Sequence, residues 1–260
     1  MAHIDDIEVV VAQLSSAGFV AASEEADELF NRAGGDSNLF TELVERRLTG
    51  EPLAWITGHA SFCGRAIRVD HGVYVPRWQS EPLARRAVER LPEHGLGIEI
   101  CTGSGAISRT MMAARAGARI VATDIDSRAV ACARANGVDT HQGDLFDPLP
   151  ASLEGMADVV VGVVPYVPTR ALSLLPRDTL EFESPLSYDG GNDGGDYLRT
   201  AVAESTRFLR HRGALLLELG GEQAESLQSE LTKAGYGEVV VLFDEDGDVR
   251  GIEATYGTHL

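Results

Sequence analysis

Apolar residues recur every three or four positions through the first fifty residues, and then the period changes. Ile4, Ile7, Val11 and Leu14 fall at helical spacing before a break near Gly18. Ser23 precedes a Glu-rich turn and predicts the cap of a second helix carrying Ala26, Leu29 and Phe30. The run "RAGGDSN" ends that helix, and "LFTELVERRLTG" predicts a third one closed by Gly50. Helices this short need tertiary packing to persist. Between 53 and 75 the pattern loosens. "SFCGRAIRVDHGVYV" alternates weakly around glycines, as a hairpin or small sheet does. "VPRWQSEPLARRAVERL" then leads through Pro76 into a helix with Leu83, Ala87, Val88 and Leu91 as its apolar stripe.

From residue 97 strand and helix patterns alternate. "GIEICT", "RIVATD", "VDTHQGD", "ADVVVGV" and "ALLLELG" read as strands. "GAISRTMMAARAG", "SRAVACARANG", "YLRTAVAESTRFLRHRG" and "EQAESLQSELTKAG" read as the helices between and after them. The tail "EVVVLFDEDGDVRGIEATYG" predicts two strands joined through an acidic glycine turn. This order specifies an α/β fold, a doubly wound Rossmann-like sheet with a C-terminal hairpin and a small N-terminal helical domain. Its binding crevice is expected beyond the carboxyl ends of the strands. The expected division is 1–52 helical module, 53–75 connecting hairpin and 76–260 catalytic domain.

Composition narrows the partners. The 260 residues hold 22 Lys plus Arg against 40 Asp plus Glu, a formal net charge of -18. Such a field repels nucleic acid and opposes attachment to an anionic membrane. The pairs Arg46–Arg47 and Arg85–Arg86 are the only hints of a basic patch. Cys63, Cys101 and Cys132 form neither a CxxC pair nor a zinc pattern, so free thiols and no metal are expected. No stretch reaches transmembrane length, and the N-terminus does not read as a signal peptide. The expectation is a cytoplasmic protein, monomer or weak dimer, with no direct binding of nucleic acid or membrane.

The chemistry concentrates where strands end. "EICTGSG" puts Glu99, Thr102, Gly103, Ser104 and Gly105 at a strand-to-helix turn, where glycines permit positive φ and close ligand approach. A short GxG also makes an ordinary tight turn. Asp124, at the end of "VATD", is placed to receive both hydroxyls of a ribose, and Ile125 to cover one face of a purine. Asp126 reads instead as a helix cap. In "QGDLF", Asp144 could accept from an adenine amino group with Leu145 beside the ring, or act as a cap or solvated turn acid. These stations separate NAD from S-adenosylmethionine poorly. "GSGAIS" ends in Ser108 where a pyrophosphate loop would carry its last glycine, whereas a sulfonium cofactor suits a pocket of acids.

A resemblance sharpens the reading. The landmarks "EPLAWITGHASFCG", "VYVPRWQSEPLA", "EICTGSGAIS", "ATDIDSRAVACARAN", "GDLFD", "VPYVP", "ESPLSYDGGNDGG" and "LLLELGGEQ" occur in an order that resembles the class I release-factor glutamine methyltransferases, HemK/PrmC-like, over nearly the whole chain. That resemblance implies S-adenosylmethionine as cofactor, with S-adenosylhomocysteine as product. It implies methylation of the glutamine amide in the Gly-Gly-Gln motif of peptide-chain release factors, and an N-terminal helical module that helps hold the protein substrate. By position it assigns the cofactor loop to 102–105, the ribose acid to Asp124, the adenine contacts to Ile125, Asp144 and Leu145, and a pocket-shaping role to Pro76 with the residues before it.

The acceptor motif departs from the family's. Where the family has Asn-Pro-Pro-Tyr or Asn-Ala-Pro-Tyr, this chain has Val163-Val164-Pro165-Tyr166. An amide nitrogen is a weak nucleophile, and the family Asn accepts its hydrogens and orients it. Valine accepts no hydrogen bond. Losing such a partner costs about 2–5 kcal/mol, a few powers of ten in rate. Pro165 can still stiffen the loop, Tyr166 can stack on a planar group, and the Val164 carbonyl can accept; the alternative is a buried loop with an ordinary Tyr anchor. "PRWQSE" carries Trp78 for a proline and Gln79 for an acid, with Arg77 and Glu81 in register. Trp78 could narrow the acceptor channel or merely fill space. Glu183 and Pro185 resemble the family's Glu-Pro pair with Ser184 between them, and "DGGNDGG" is expected to pack beside the acceptor opening. A small-metabolite or other protein acceptor, or a noncatalytic cofactor-binding role, are the alternatives.

Overall fold

The computed structural model describes residues 4–175 and 177–257. Three helices, α1 (Ile4–Ser16), α2 (Ala22–Ala33) and α3 (Ser37–Leu48), enclose their own core of Leu14, Ala26, Leu29, Phe40 and Leu43. Ser23 does not cap α2. That helix starts two residues earlier than a Ser23 cap would place it, behind Ala21, with no side-chain cap bond. The side chain that does cap is Asp36, whose carboxylate accepts from the Asn38 and Leu39 amides at 2.9 and 3.2 Å and starts α3. The segment expected to be all hairpin opens with a one-turn helix, α4 (Leu53–Thr57), before β1 (His59–Phe62) and β2 (Arg65–Arg68) pair antiparallel. Helix α4 carries Trp55, whose indole N–H donates to the Val73 carbonyl at 2.8 Å.

The remainder runs α5 (Glu81–Arg90), β3 (Leu96–Ile100), α6 (Ala106–Ala114), β4 (Arg119–Asp124), α7 (Ser127–Ala135), β5 (Asp139–Gln142), β6 (Ala157–Gly162), α8 (Arg177–Phe182), α9 (Asp196–Phe208), β7 (Leu209–Glu218), α10 (Gln223–Ser226), α11 (Gln228–Lys233), β8 (Tyr236–Phe243) and β9 (Val249–Tyr256). The seven-stranded sheet has the order β5-β4-β3-β6-β7-β9-β8. Its first five strands are parallel, and the final hairpin joins antiparallel through β9.

Both faces of the sheet are covered, which is why its central strands read as continuous apolar runs. Side chains alternate between the two cores. Val160, Leu215 and Leu217 join Leu198, Val202 and Phe208 of α9 on one face. Val159, Val161 and Leu216 join Leu83 and Ala87 of α5 and Met111 of α6 on the other.

Helix α9 stops five residues short of the expected end at Gly213. Leu209 enters the β6 ladder opposite Ala157, and the register shifts before Val159. Arg212 in this stretch has φ +63°, so "LRHRG" is an irregular strand entry. Among the described residues no helix is long and apolar enough to cross a membrane. The strand order reverses around β3, with β4 on one side and β6 on the other, and that opens a crevice at its carboxyl end.

Candidate cofactor and acceptor site

At that crevice the chain leaves β3 through Cys101 and turns over residues 102–105 into α6. The Thr102 amide donates to the Thr123 carbonyl at 3.0 Å, tying the turn to β4. Gly103 has φ +56°, and a Cβ added there would meet nothing nearer than Tyr74 at 3.9 Å. Protein packing therefore does not demand glycine at 103. The positive φ and the open approach do. Gly105 is different. Its φ is +82°, and an added Cβ would lie 2.9 Å from Val138, so it is needed for the seating of α6.

Glu99 is buried, and all its hydrogen bonds fall on one oxygen. Oε2 accepts from the Thr102 hydroxyl at 2.7 Å, the Ser108 amide at 2.9 Å and the Ser108 hydroxyl. Oε1 has no hydrogen-bond partner among the described residues, and Glu99 lines the cavity. Burial pushes its carboxyl up to about 7 against those three donors.

Asp124 accepts the Gly103 amide on Oδ2 at 2.8 Å and the Asp126 amide on Oδ1 at 2.9 Å. It thus fastens the glycine turn to the end of β4 with acceptor capacity to spare. Burial raises its pKa despite these amides. Asp126 caps α7 through the Arg128 amide at 2.8 Å.

These groups share a cavity of about 410 Å³. Pro76, Glu99, Thr102, Gly103, Ser104, Asp124, Ile125, Asp144, Leu145, Val163 and Pro165 all line it. Gly105, Val164 and Tyr166 stand behind the wall. Val164 is buried in the main core, and the Tyr166 hydroxyl donates to Glu218 Oε1 at 3.0 Å. Trp78 is 61% exposed and does not line the cavity. Tyr74, in the segment before Pro76 expected to shape the pocket, lines it as well, and so does Tyr197, which sequence reasoning passed over. Tyr74 stands two residues before Pro76 on an extended segment, which turns both to one side.

The residues fit S-adenosylmethionine. Glu99 Oε1 and the Asp124 carboxylate suit a cation and vicinal hydroxyls, while Ile125, 58% exposed at the rim, offers an apolar face to a flat ring. No cluster of metal-ligating side chains occurs among the described residues.

The acceptor loop leaves β6 at Gly162 and is held by the glycine-rich turn. Val167 N–H donates to the Tyr188 carbonyl at 2.8 Å, and Gly190 N–H to the Val167 carbonyl at 2.9 Å. A Cβ on Gly190 would lie 2.7 Å from the Pro165 carbonyl, and one on Gly194 2.3 Å from that of Tyr166. "DGGNDGG" is thus glycine-rich because another backbone lies against it. Gln223 completes the clamp, donating to the Tyr166 carbonyl at 2.8 Å.

No family model matches the chain. It is 31% identical over 221 residues to the release factor glutamine methyltransferase of Geobacter sulfurreducens, which covers 83% of this chain and 77% of that protein. It is 33% identical over 207 residues to the 4-amino-L-phenylalanine/4-methylamino-L-phenylalanine methyltransferase of Streptomyces pristinaespiralis, covering 75% and 70% respectively. Among solved structures, a methyltransferase from Pyrococcus furiosus aligns with a TM-score of 0.52 at 18% identity, over 84% of this chain and 98% of that one. That likeness shows a shared fold.

Proposed function

The chain belongs to the family of S-adenosylmethionine-dependent methyltransferases that contains the release factor glutamine methyltransferases, and on that premise we propose that it binds S-adenosylmethionine in the 410 Å³ cavity and transfers the methyl group to a second molecule. The observation that carries this is the convergence of the 102–104 turn, Asp124, Ile125, Asp144 and Leu145 on one cavity at the carboxyl ends of the parallel strands. The cofactor, when bound, supplies a methyl group already activated by a positively charged sulfur. The protein's part is to align and to exclude water. Glu99 and Asp124 hold the polar end, Ile125 and Leu145 flank the ring with Asp144 at its edge, and Pro76, Val163 and Pro165 wall the side toward the acceptor.

For the acceptor, family membership supports the glutamine side chain of a peptide-chain release factor. In this reading the helical module, residues 1–52, helps hold that protein, and 53–75 connects it to the catalytic domain of 76–260. A second reading is favoured by Val163, which lines the cavity where an amide-orienting side chain is needed. A nitrogen, oxygen or sulfur more reactive than a carboxamide does not need that clamp, and an arylamine such as 4-amino-L-phenylalanine is one such acceptor.

Isotope-labelled methyl transfer tests both readings. The acceptors would be a folded release factor, with its Gly-Gly-Gln glutamine intact or replaced, and a panel of small amines, phenols and thiols. Label that depends on the glutamine establishes the first reading, and label on a small acceptor the second. Cofactor binding without transfer to any of them would leave a noncatalytic binding protein and refute the proposed transfer.

A further inference from the structure

Residues 74–77 form an extended wall with two faces. Tyr74 and Pro76 line the cofactor cavity, while Val75 and Arg77 line a second cavity of about 280 Å³ on the other side. That second cavity is also lined by Glu28 of α2, Arg47 of α3, Leu53 of α4 and His59 of β1, so it lies between the helical module and the wall. The alternation is the period of two that extended backbone imposes.

One buried carboxylate holds this wall. Glu183, its side chain 1% exposed, accepts the Val75 amide on Oε1 at 2.9 Å. Its Oε2 accepts from both the Arg77 guanidinium and the Tyr188 hydroxyl. Burial works against the Arg77 charge, but Glu183, Tyr188 and Tyr74 outweigh it and raise its pKa. The Arg77 guanidinium sits 5.4 Å from the centre of the Tyr74 ring, and the Tyr74 and Tyr188 rings are 5.6 Å apart. The residues directly after Glu183 complete the picture. Ser184, Leu186 and Ser187 also line the cofactor cavity. A single side chain therefore pins together two cavity-lining segments that lie more than a hundred residues apart in sequence.

We propose that Glu183 is a positioning residue for the cofactor: from behind the wall it fixes Tyr74, Pro76 and the 184–187 segment as the cofactor cavity's side. This rests on reading the 410 Å³ cavity as the S-adenosylmethionine site. Without the carboxylate, the Val75 amide loses its acceptor and the Arg77 charge loses its partner, so both segments relax. A residue that served the fold alone would change melting temperature and leave cofactor affinity untouched.

The test is calorimetric binding of S-adenosylmethionine and S-adenosylhomocysteine to the full chain, as wild type, Glu183→Gln and Glu183→Ala, with amide hydrogen exchange on the same samples. Glu183→Gln keeps the shape and an acceptor but drops the ion pair, and it should weaken both ligands by about three- to tenfold. Glu183→Ala should weaken them by about tenfold or more, with faster exchange at Val75 and unchanged protection of Ile98 and Val160 in the sheet. Wild-type affinity in either folded variant overturns the proposal, whatever happens to the melting temperature. If the alanine variant does not fold, the glutamine variant decides alone. A wild type that binds neither ligand removes the cofactor reading itself, an outcome distinct from equal binding by wild type and variant.

Discussion

If Glu99 holds the cationic end of the cofactor as proposed, binding is a proton-linked event. The Glu99 side chain is buried yet lines the cavity, three donors crowd Oε2, and Oε1 is left without a hydrogen-bond partner among the described residues. With its carboxyl pushed up to about 7, it is largely protonated at pH 6 and ionised at pH 8. A ligand that brings a positive charge to Oε1 favours the ionised form and must displace the proton wherever one is present. Affinity for S-adenosylhomocysteine, which keeps the α-ammonium, should therefore be about tenfold lower at pH 6 than at pH 8, or about 1.4 kcal/mol. Calorimetry in buffers of different ionisation enthalpy should find roughly one proton released per ligand at pH 6 and close to none at pH 8. Glu99→Gln should flatten both trends, and subtracting it removes the ligand's own titration. The same shift has a sign for folding without ligand. A carboxyl whose folded pKa lies above its unfolded value favours folding most below pH 4.5, and that contribution is lost as pH rises through 7, by about 3 kcal/mol. Urea titrations of wild type against Glu99→Gln at pH 5 and pH 8 would show it. A wild type whose affinity is level from pH 6 to 8, with no proton release, would refute the placement of a cation at Glu99.

Other substitutions probe the neighbouring groups. Asp124→Ala should weaken S-adenosylmethionine binding by about tenfold or more in calorimetry, since it removes both the proposed ribose acceptor and the anchor of the Gly103 amide. Unchanged affinity would end that assignment. Gly105→Ala should lower unfolding free energy by about 1–3 kcal/mol in urea, because φ is +82° and the new methyl would meet Val138 at 2.9 Å. Trp78→Ala should leave cofactor affinity within about twofold, as expected for an exposed side chain outside the cavity. Val163→Asn should raise methyl transfer to a release factor by about tenfold or more, read as incorporated label per enzyme; no gain would oppose the glutamine reading.

What was legible in the sequence was what local periodicity encodes. "ADVVVGV" and "ALLLELG" are buried on both faces, so their apolar runs announce strands without any tertiary information. The end of α9 was not legible, because "LRHRG" continues the helical stripe and only pairing with Ala157 turns it into strand. The site divided the same way. Asp124 and the glycine turn sit at strand ends where topology alone aims them at the crevice. Glu183 was visible only as part of a motif, and its pairing with the Val75 amide is a long-range event that no local spacing reveals. Tyr166 pointed the same lesson in reverse. A tyrosine in the acceptor motif suggested stacking on substrate, yet its hydroxyl is tied to Glu218, whose own pKa burial raises.

In the proposed reading, residue 163 of the loop after β6 matters more than its neighbours. The loop backbone from 165 to 167 is fixed by contacts that do not involve the 163 side chain. Gln223 holds the Tyr166 carbonyl, Tyr188 and Gly190 bracket Val167, and Gly190 and Gly194 leave no room for the strand of loop to shift toward them. Within the motif, Val164 is committed to the core and Tyr166 to Glu218, which leaves Val163 and Pro165 as the side chains facing the cavity. Neither can accept a hydrogen bond through its side chain. Val163 both lines the cavity and packs against the core under α5 and α6, so a polar side chain there gives up that apolar contact while the hydrogen-bonded loop beyond it stays in place. An acceptor that must be gripped by its N–H groups depends on that position, and one that brings its own reactive lone pair does not. In the proposed reading, the division between the two acceptor classes falls chiefly on the side chain at 163, beside the departures at Trp78, Gln79 and Ser184.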